Sequence, residues 1–289
     1  MKKLLITGTT GNVGMEIIKA LQKIQHQFEI FAGVRDLEKD TDKLRKYTVI
    51  PERFDFIDER TFEPAFKNCQ MLFLMRPPQI SDTERYFKPL IKIAQKCNVK
   101  HIIFLSVQGV EKSAIIPHHK IEKLIVASGI PYTFLRPAYF MQNFTTTLHN
   151  DLVLKKRIFL PAGNEKFTLI DIRNIGEVAA KIMIAPSKHI NQSYELTCDE
   201  KLSFQEMADK LSVSLGVKIT YISPSLVNFT TQKLKEKVPF GYILVLIMLH
   251  YLPRFQEIPP FSNAFEDITG NNPISFDQFV ADYKSLLLE

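Results

Sequence analysis

Three glycines stand three residues apart in Thr7-Gly8-Thr9-Thr10-Gly11-Asn12-Val13-Gly14, between an apolar run ending at Ile6 and a stretch of helical periodicity. A pyrophosphate suits such a place. The N-terminus of a helix offers unpaired N–H groups and the positive end of its dipole, and glycine lets the main chain approach without a Cβ in the way. Gly8, Thr9, Thr10, Gly11, Asn12 and Val13 are therefore the expected dinucleotide contacts, with Thr9, Thr10 and Asn12 as possible side-chain donors. The spacing is G-x-x-G-x-x-G and not the more familiar G-x-G-x-x-G, so the strand before it and the helix after it carry the assignment. About twenty residues on, the segment Ala32-Gly33-Val34-Arg35-Asp36 falls where ribose preference is usually set. A guanidinium at Arg35 suits a 2′-phosphate, which favours NADP(H), while the carboxylate of Asp36 keeps NAD(H) open.

The elements that would position these residues follow from periodicity. Nearly continuous apolar runs at 3–7, 29–34, 47–54, 71–75, 101–106 and 132–135 alternate with helical patterns at 13–24 and 86–97. This is the rhythm of βαβ units and of parallel strands covered on both faces. The expected fold class is α/β, a Rossmann-type doubly wound parallel sheet. After Pro137 the rhythm loosens: a helix is expected at 175–184, a strand at 193–197, and a helix at 203–215 opened by Ser203 with Glu206 three residues on. The expected division is a dinucleotide-binding core over 1–150 and a smaller C-terminal substrate lobe over 151–289, interlocked with the core.

Composition sets the class. The 289 residues are 45% hydrophobic and 24% charged, as in ordinary globular proteins, and the net charge of +6 is spread along the chain and not gathered into a nucleic-acid footprint. The cysteines, Cys69, Cys97 and Cys198, form no CxxC pair, which argues against a disulfide framework or a zinc site and fits a reducing cytoplasm. The apolar run near the N-terminus is too short for a secretory signal. The longest apolar stretch, 242–252, is interrupted by His250 and falls short of the roughly 20 residues that cross a bilayer. It reads as a buried helix or an apolar lid, and neither a nucleic acid nor a membrane is expected as partner.

Several segments together resemble the NmrA-like branch of the atypical short-chain dehydrogenase/reductases. They are the glycine turn, Val34-Arg35-Asp36, Phe104-Leu105-Ser106, His118 to Glu122, the run from Ser128 to Pro137 followed by Phe140-Met141-Gln142-Asn143-Phe144, Ile170 to Ile175, and Tyr194-Glu195-Leu196-Thr197. The resemblance is clear to about Ile222. It implies a doubly wound sheet with a small C-terminal lobe over the nicotinamide end. It also implies one of two activities: an NADPH-dependent quinone or triphenylmethane-dye reductase, or a dinucleotide-binding redox sensor. By the same resemblance Asp55 would face the adenine, and Leu74, Met75 and Arg76 would border the adenosine and its ribose.

Short-chain dehydrogenases carry Tyr-x-x-x-Lys on a helix, and this chain has His118-His119-Lys120-Ile121-Glu122-Lys123 in its place. His118 faces the covered side of that helix and His119 points more outward. Glu122, one turn on, is placed to orient the imidazole or raise its pKa, which would make His118 an acid or a nicotinamide-positioning donor. Ser106 ends the fifth apolar run, at the sheet edge where α/β ligands bind. Pro137 is expected beneath the nicotinamide, and Tyr139, Phe140 and Asn143 offer aromatic and amide surface to a substrate. No metal is expected, since adjacent histidines diverge on a helix. The leading expectation is hydride transfer from NADPH to a small conjugated acceptor such as a quinone. The alternative is a sensor with little turnover, whose protein partner would meet the segment 239–252.

Overall fold

The computed structural model describes residues 2–257 and 259–289. Strands and helices alternate through the first half of the chain: β1 (Lys2–Ile6), α1 (Asn12–Gln22), β2 (Phe28–Val34), α2 (Leu37–Leu44), β3 (Ile50–Arg53), α3 (Phe62–Phe66), β4 (Cys69–Met75), α4 (Thr83–Lys96), β5 (His101–Leu105), α5 (Pro117–Ser128) and β6 (Tyr132–Pro137). Their boundaries have local causes. The Asp82 carboxylate accepts from the Arg85 N–H and starts α4, whereas α5 opens on Pro117 and closes on Gly129 at φ +72°, a left-handed turn that suits glycine. All five residues of β5 are buried, as strands covered on both faces require. The expected strand at 47–54 is shorter. Tyr47 is caught in a turn on the Leu44 carbonyl, and only Ile50–Arg53 pair with β2, as an edge strand.

Beyond Pro137 come β7 (Tyr139–Phe140), α6 (His149–Lys155), β8 (Arg157–Phe159), β9 (Lys166–Ile170), α7 (Ile172–Ile184), β10 (Gln192–Leu196), β11 (Lys201–Ser203), α8 (Phe204–Leu215), β12 (Thr220–Ile222), α9 (Leu226–Lys235), α10 (Phe240–His250), α11 (Ala264–Thr269), α12 (Phe276–Asp282) and α13 (Lys284–Leu288). They sort into two compact units, and the division is not a single cut at residue 150. The first holds Met1–Pro137, Ile172–Leu196 and Ser262–Asn272; the second holds Ala138–Asp171, Thr197–Phe261 and Pro273–Glu289. The strand expected at 193–197 in the C-terminal lobe is β10, which pairs in parallel with β6, Glu195 opposite Arg136. The helix expected at 175–184 is α7. It packs on α1 at Gly176, where a Cβ would lie 2.7 Å from the Glu16 carbonyl oxygen.

The sheet of the first unit has seven strands in the order β10-β6-β5-β4-β1-β2-β3, all paired in parallel. Strand order reverses between β1 and β4, and ligands of open α/β sheets bind beyond the carboxyl ends of the strands at such a switch point. One core layer of this unit packs Phe54, Phe62, Phe66, Phe87 and Phe104 with apolar residues of α4 and α5. In the second unit β11, β9 and β7 form one small sheet and β12 and β8 another, around a core that includes Phe144, Phe204, Phe229, Phe276 and Phe279. Ser203 and Glu206 make the reciprocal cap expected of them at the start of α8.

Candidate functional site

The turn after β1 is crowded enough to require its glycines. Gly8 has φ +66° and lies against Met75, so that a Cβ there would meet Met75 Cε at 2.1 Å. A Cβ on Gly14 would come within 2.3 Å of the Gly8 carbonyl oxygen, because the loop folds onto the first turn of α1. Two threonines fasten the turn. The Thr7 hydroxyl donates to the Phe73 carbonyl and accepts from the Met75 N–H, tying β1 to β4, and the Thr9 hydroxyl donates to the Gly33 carbonyl. Thr9 is thus a latch on β2 and not the free side-chain donor that its position suggested. Val13 is buried, which leaves its main-chain N–H as the group it can offer. Thr10, Gly11 and Asn12 are exposed. No side chain caps α1 and no acid stands in its first turn, so its amides and its positive dipole end are available to an anion.

The register that sets Ile6 opposite Ala32 brings the residues after β1 and β2 to the same sheet edge. There Arg35 is exposed. Asp36 is already occupied: its carboxylate accepts from the N–H groups of Glu38 and Lys39 and caps α2, and these bonds hold its pKa below the ordinary value. Asp55 follows β3, its carboxylate accepting from the Ile57 N–H. Leu74 is fully buried within the phenylalanine-rich core, whereas Met75 is half-buried against Gly8. A groove of about 550 Å³ at the amino edge of the sheet, between Lys2, Phe28, Met71 and Met183, contains none of these residues.

Around the end of β5 the structure revises two expectations. The Arg76 Nε–H donates to His118 Nε2 across 3.4 Å, while Arg76 Nη1 donates to the carbonyls of Pro77, Pro78 and Ile80. Burial, and then the charge of Arg76, push His118 down to about 3. The imidazole is neutral near neutral pH, with its acceptor nitrogen toward Arg76, and is not the imidazolium acid that a carboxylate neighbour would have made. That carboxylate points elsewhere. Glu122 grips Arg136 through two bonds, Nε to Oε1 at 3.1 Å and Nη2 to Oε2 at 2.8 Å. Arg136 also meets Glu111 at 3.2 Å and Glu195 at 3.6 Å, so one cation gathers carboxylates from three elements. Burial, and then the charge of Glu111, raise Glu195 to about 7 against the pull of Arg136.

Ser106 is buried just past β5, and its hydroxyl has no hydrogen-bond partner among the described residues. A buried hydroxyl without a protein partner at the carboxyl edge of a sheet is a candidate ligand contact. The carbonyl of Pro137, which ends β6, accepts from the Gln108 N–H. His119 turns inward more than its helical position suggested: Nδ1 bonds the Val110 carbonyl, and Nε2 is buried without a partner among the described residues. Glu195 joins the cluster only through the pairing of β10 with β6 that sets it opposite Arg136, a contact that no local spacing in the sequence records.

In the second unit, Tyr139 packs tilted against Phe167 and edge-to-face with Phe204 and bonds His250 Nε2 at 3.0 Å through its hydroxyl. Burial raises its pKa well above the phenol range, opposed by a hydrogen bond with the Asn143 side chain. Tyr139, Phe140 and Asn143 are all half-buried, and Tyr139 packs against the core of the second unit. Among the described residues no cluster of His, Cys, Asp or Glu is arranged to hold a metal ion.

Comparison with known proteins places this arrangement. Quinone oxidoreductase 2 of Escherichia coli strain K12 is 25% identical over 242 residues, 82% of this chain and 83% of that protein. Its structure with NADPH matches with a TM-score of 0.86 at 22% identity, covering 96% and 99% of the two chains. Triphenylmethane reductase of Citrobacter sp. matches with a TM-score of 0.87 at 23% identity over 98% and 99%. NmrA, a negative transcriptional regulator solved with NAD, matches with 0.77 at 15% identity over 99% and 96%. These structural likenesses establish the shared fold. A model of the NmrA-like family matches residues 1–266, and the chain belongs to the NmrA-like family.

Proposed function

We propose that this chain binds NADP(H) after β1 and reduces a small conjugated acceptor such as a quinone. One observation carries the cofactor reading: an uncapped α1 N-terminus behind a turn that only glycines fit, beside an exposed Arg35 whose neighbour Asp36 is consumed as a helix cap. The amides from Gly8 to Val13 would hold the pyrophosphate and Arg35 the 2′-phosphate, with Met75 and Asp55 along the adenosine side. Ser106 offers a hydroxyl at the carboxyl edge, and Arg76 a cation that meets carbonyls and an imidazole instead of a carboxylate. When bound, the reduced nicotinamide supplies hydride.

The side chains favour an acceptor that needs little acid assistance. His118 is neutral and keeps its proton on Nδ1, so it can orient a polar group by donation but does not act as an imidazolium acid. A quinone or cationic dye delocalises the incoming electron pair, so orientation and exclusion of water carry more of the rate. The relatives named for quinone and dye reduction support this class. The three cysteines are free, which supports a reducing, cytoplasmic setting. The test is NADPH oxidation against a panel of quinones and dyes, with calorimetry of NADPH binding alongside. Turnover of at least one quinone is expected. Tight binding with no oxidation above the buffer blank would overturn the reductase reading. It would favour the second reading, a dinucleotide sensor like the regulator NmrA, for which the missing Tyr-x-x-x-Lys and the neutral His118 speak.

A further inference from the structure

The helix α10 reads FGYILVLIMLH and is apolar around its whole circumference. Only one side of it is used by the second unit, where Ile243, Leu246 and His250 are buried. On the other side Phe240 is 55% exposed, Tyr242 42%, Leu244 49%, Met248 41% and Leu249 47%. At ~100° per residue these five side chains cover roughly 200° of the helix. Leu252 and Phe255 continue the apolar surface past its end. A soluble protein rarely leaves a contiguous face of this kind to water. The expectation that 242–252 is a buried helix or an apolar lid therefore holds for one side only.

Charge frames this face. Lys235 and Lys237 are exposed before α10 and Arg254 after it, and from Lys237 to Gln256 there is no Asp or Glu. The neighbouring Glu236 is paired with Lys155 and Lys233, so the flanking cations keep their charge. We infer that the outer face of α10 is a docking surface for an anionic lipid bilayer, on which the helix lies flat. Apolar side chains would enter the acyl boundary while Lys235, Lys237 and Arg254 meet the headgroups. The helix lies on such a surface and does not cross it: eleven residues span ~16 Å against a hydrocarbon core of ~30 Å, and no helix among the described residues is long and apolar enough to span. A second copy of the chain is the weaker occupant. An antiparallel pair of α10 helices would set the lysines of one chain near Arg254 of the other, three cations from each chain against the exposed Glu257 just past Arg254, Glu236 being already paired. The inference replaces the expectation of no membrane partner and does not depend on the reductase reading.

The test is flotation of the full chain with vesicles of phosphatidylcholine and phosphatidylglycerol in equal parts, against vesicles of phosphatidylcholine alone. Binding is expected to the anionic vesicles, to weaken about tenfold in the Lys235→Glu/Lys237→Glu double variant, and to weaken about tenfold in Leu244→Glu/Leu249→Glu. All four side chains are exposed, so circular dichroism and the melting temperature should stay those of the parent. Failure of the parent chain to float, equal flotation with both vesicles, or indifference to both double variants would overturn the inference. So would a concentration-dependent dimer, seen by sedimentation without lipid, that the leucine variant dissolves, since the face would then belong to a second copy.

Discussion

At the end of β2, Arg35 is exposed while the Asp36 carboxylate is spent on two amides of α2. The two adjacent residues therefore make a sharp prediction about coenzyme choice. Arg35→Ala should weaken NADPH binding by about tenfold or more, the scale of a charge-assisted bond to phosphate, and leave NADH within about twofold. Calorimetric titration with both coenzymes checks this, and equal losses would show that Arg35 does not read the 2′-phosphate. Glu195 makes a second prediction. Its pKa rises from an ordinary 4.5 to about 7, through burial and then the charge of Glu111. The folded state therefore holds the extra proton between those values. The contribution of Glu195 to stability is fully present below 4.5 and is lost as pH rises through about 7. Glu195→Gln keeps the shape without the titration, so it should steepen the net rise in melting temperature from about pH 4.5 to about pH 7, the window in which Glu195 opposes the buried histidines His101 and His250. A pH profile parallel to the parent's would show that Glu195 titrates normally beside Glu111, Glu122 and Arg136.

At the scale of elements, the two outer glycines of the turn are required for different reasons. Gly8 needs its left-handed φ of +66°, but the atom that a Cβ would strike is the mobile end of Met75. Gly14 has ordinary helical geometry, and its Cβ would strike main-chain atoms of Gly8 and Thr9 at 2.3 and 2.8 Å. Alanine at Gly8 should therefore cost about 1–2 kcal/mol of backbone strain. At Gly14 it should cost up to about 3 kcal/mol and separate α1 from the loop that is to hold the pyrophosphate. Thermal denaturation ranks the two variants, and NADPH titration should show the larger loss for Gly14→Ala. The reverse order would mean that strain at Gly8 outweighs crowding at Gly14.

Across the whole molecule, buried neutral histidines set the response to acid. Burial lowers His101 to about 4 in the first unit, with a smaller push from His189, and lowers His250 to about 4 in the second. His118 lies at about 3. Each value is below the ordinary 6.5, so between about 4 and 6.5 the unfolded chain binds more protons than the folded one. The stability these groups contribute is complete above 6.5 and is lost as pH falls through their folded values. Scanning calorimetry should show the melting temperature falling steadily from about pH 7 to about pH 4.5. His250→Phe should remove part of that fall while forfeiting the bond to Tyr139. A melting temperature independent of pH in this window would mean that none of these imidazoles is held neutral.

What the sequence determined by itself is local. The glycine spacing, the Ser203 and Glu206 cap and the alternation of apolar runs with helical stripes all concern residues a few positions apart, where bond geometry and the periods of helix and strand leave little choice. Hence the parallel sheet, the turn after β1 and the cap of α8 were readable before any coordinates. The tertiary structure decided the rest. Glu122 lies one helical turn from His118, yet its carboxylate meets the Arg136 fork from β6, which offers two charge-assisted bonds where a neutral imidazole offers one. Glu195 became part of the same cluster only because β10 pairs with β6, and α7 and β10 belong to the first unit for reasons of strand order that no short window records. Whether Tyr139 faces a substrate or a core, and which side of α10 meets water, depend likewise on packing partners far away in the chain, because burial is a property of neighbours in space.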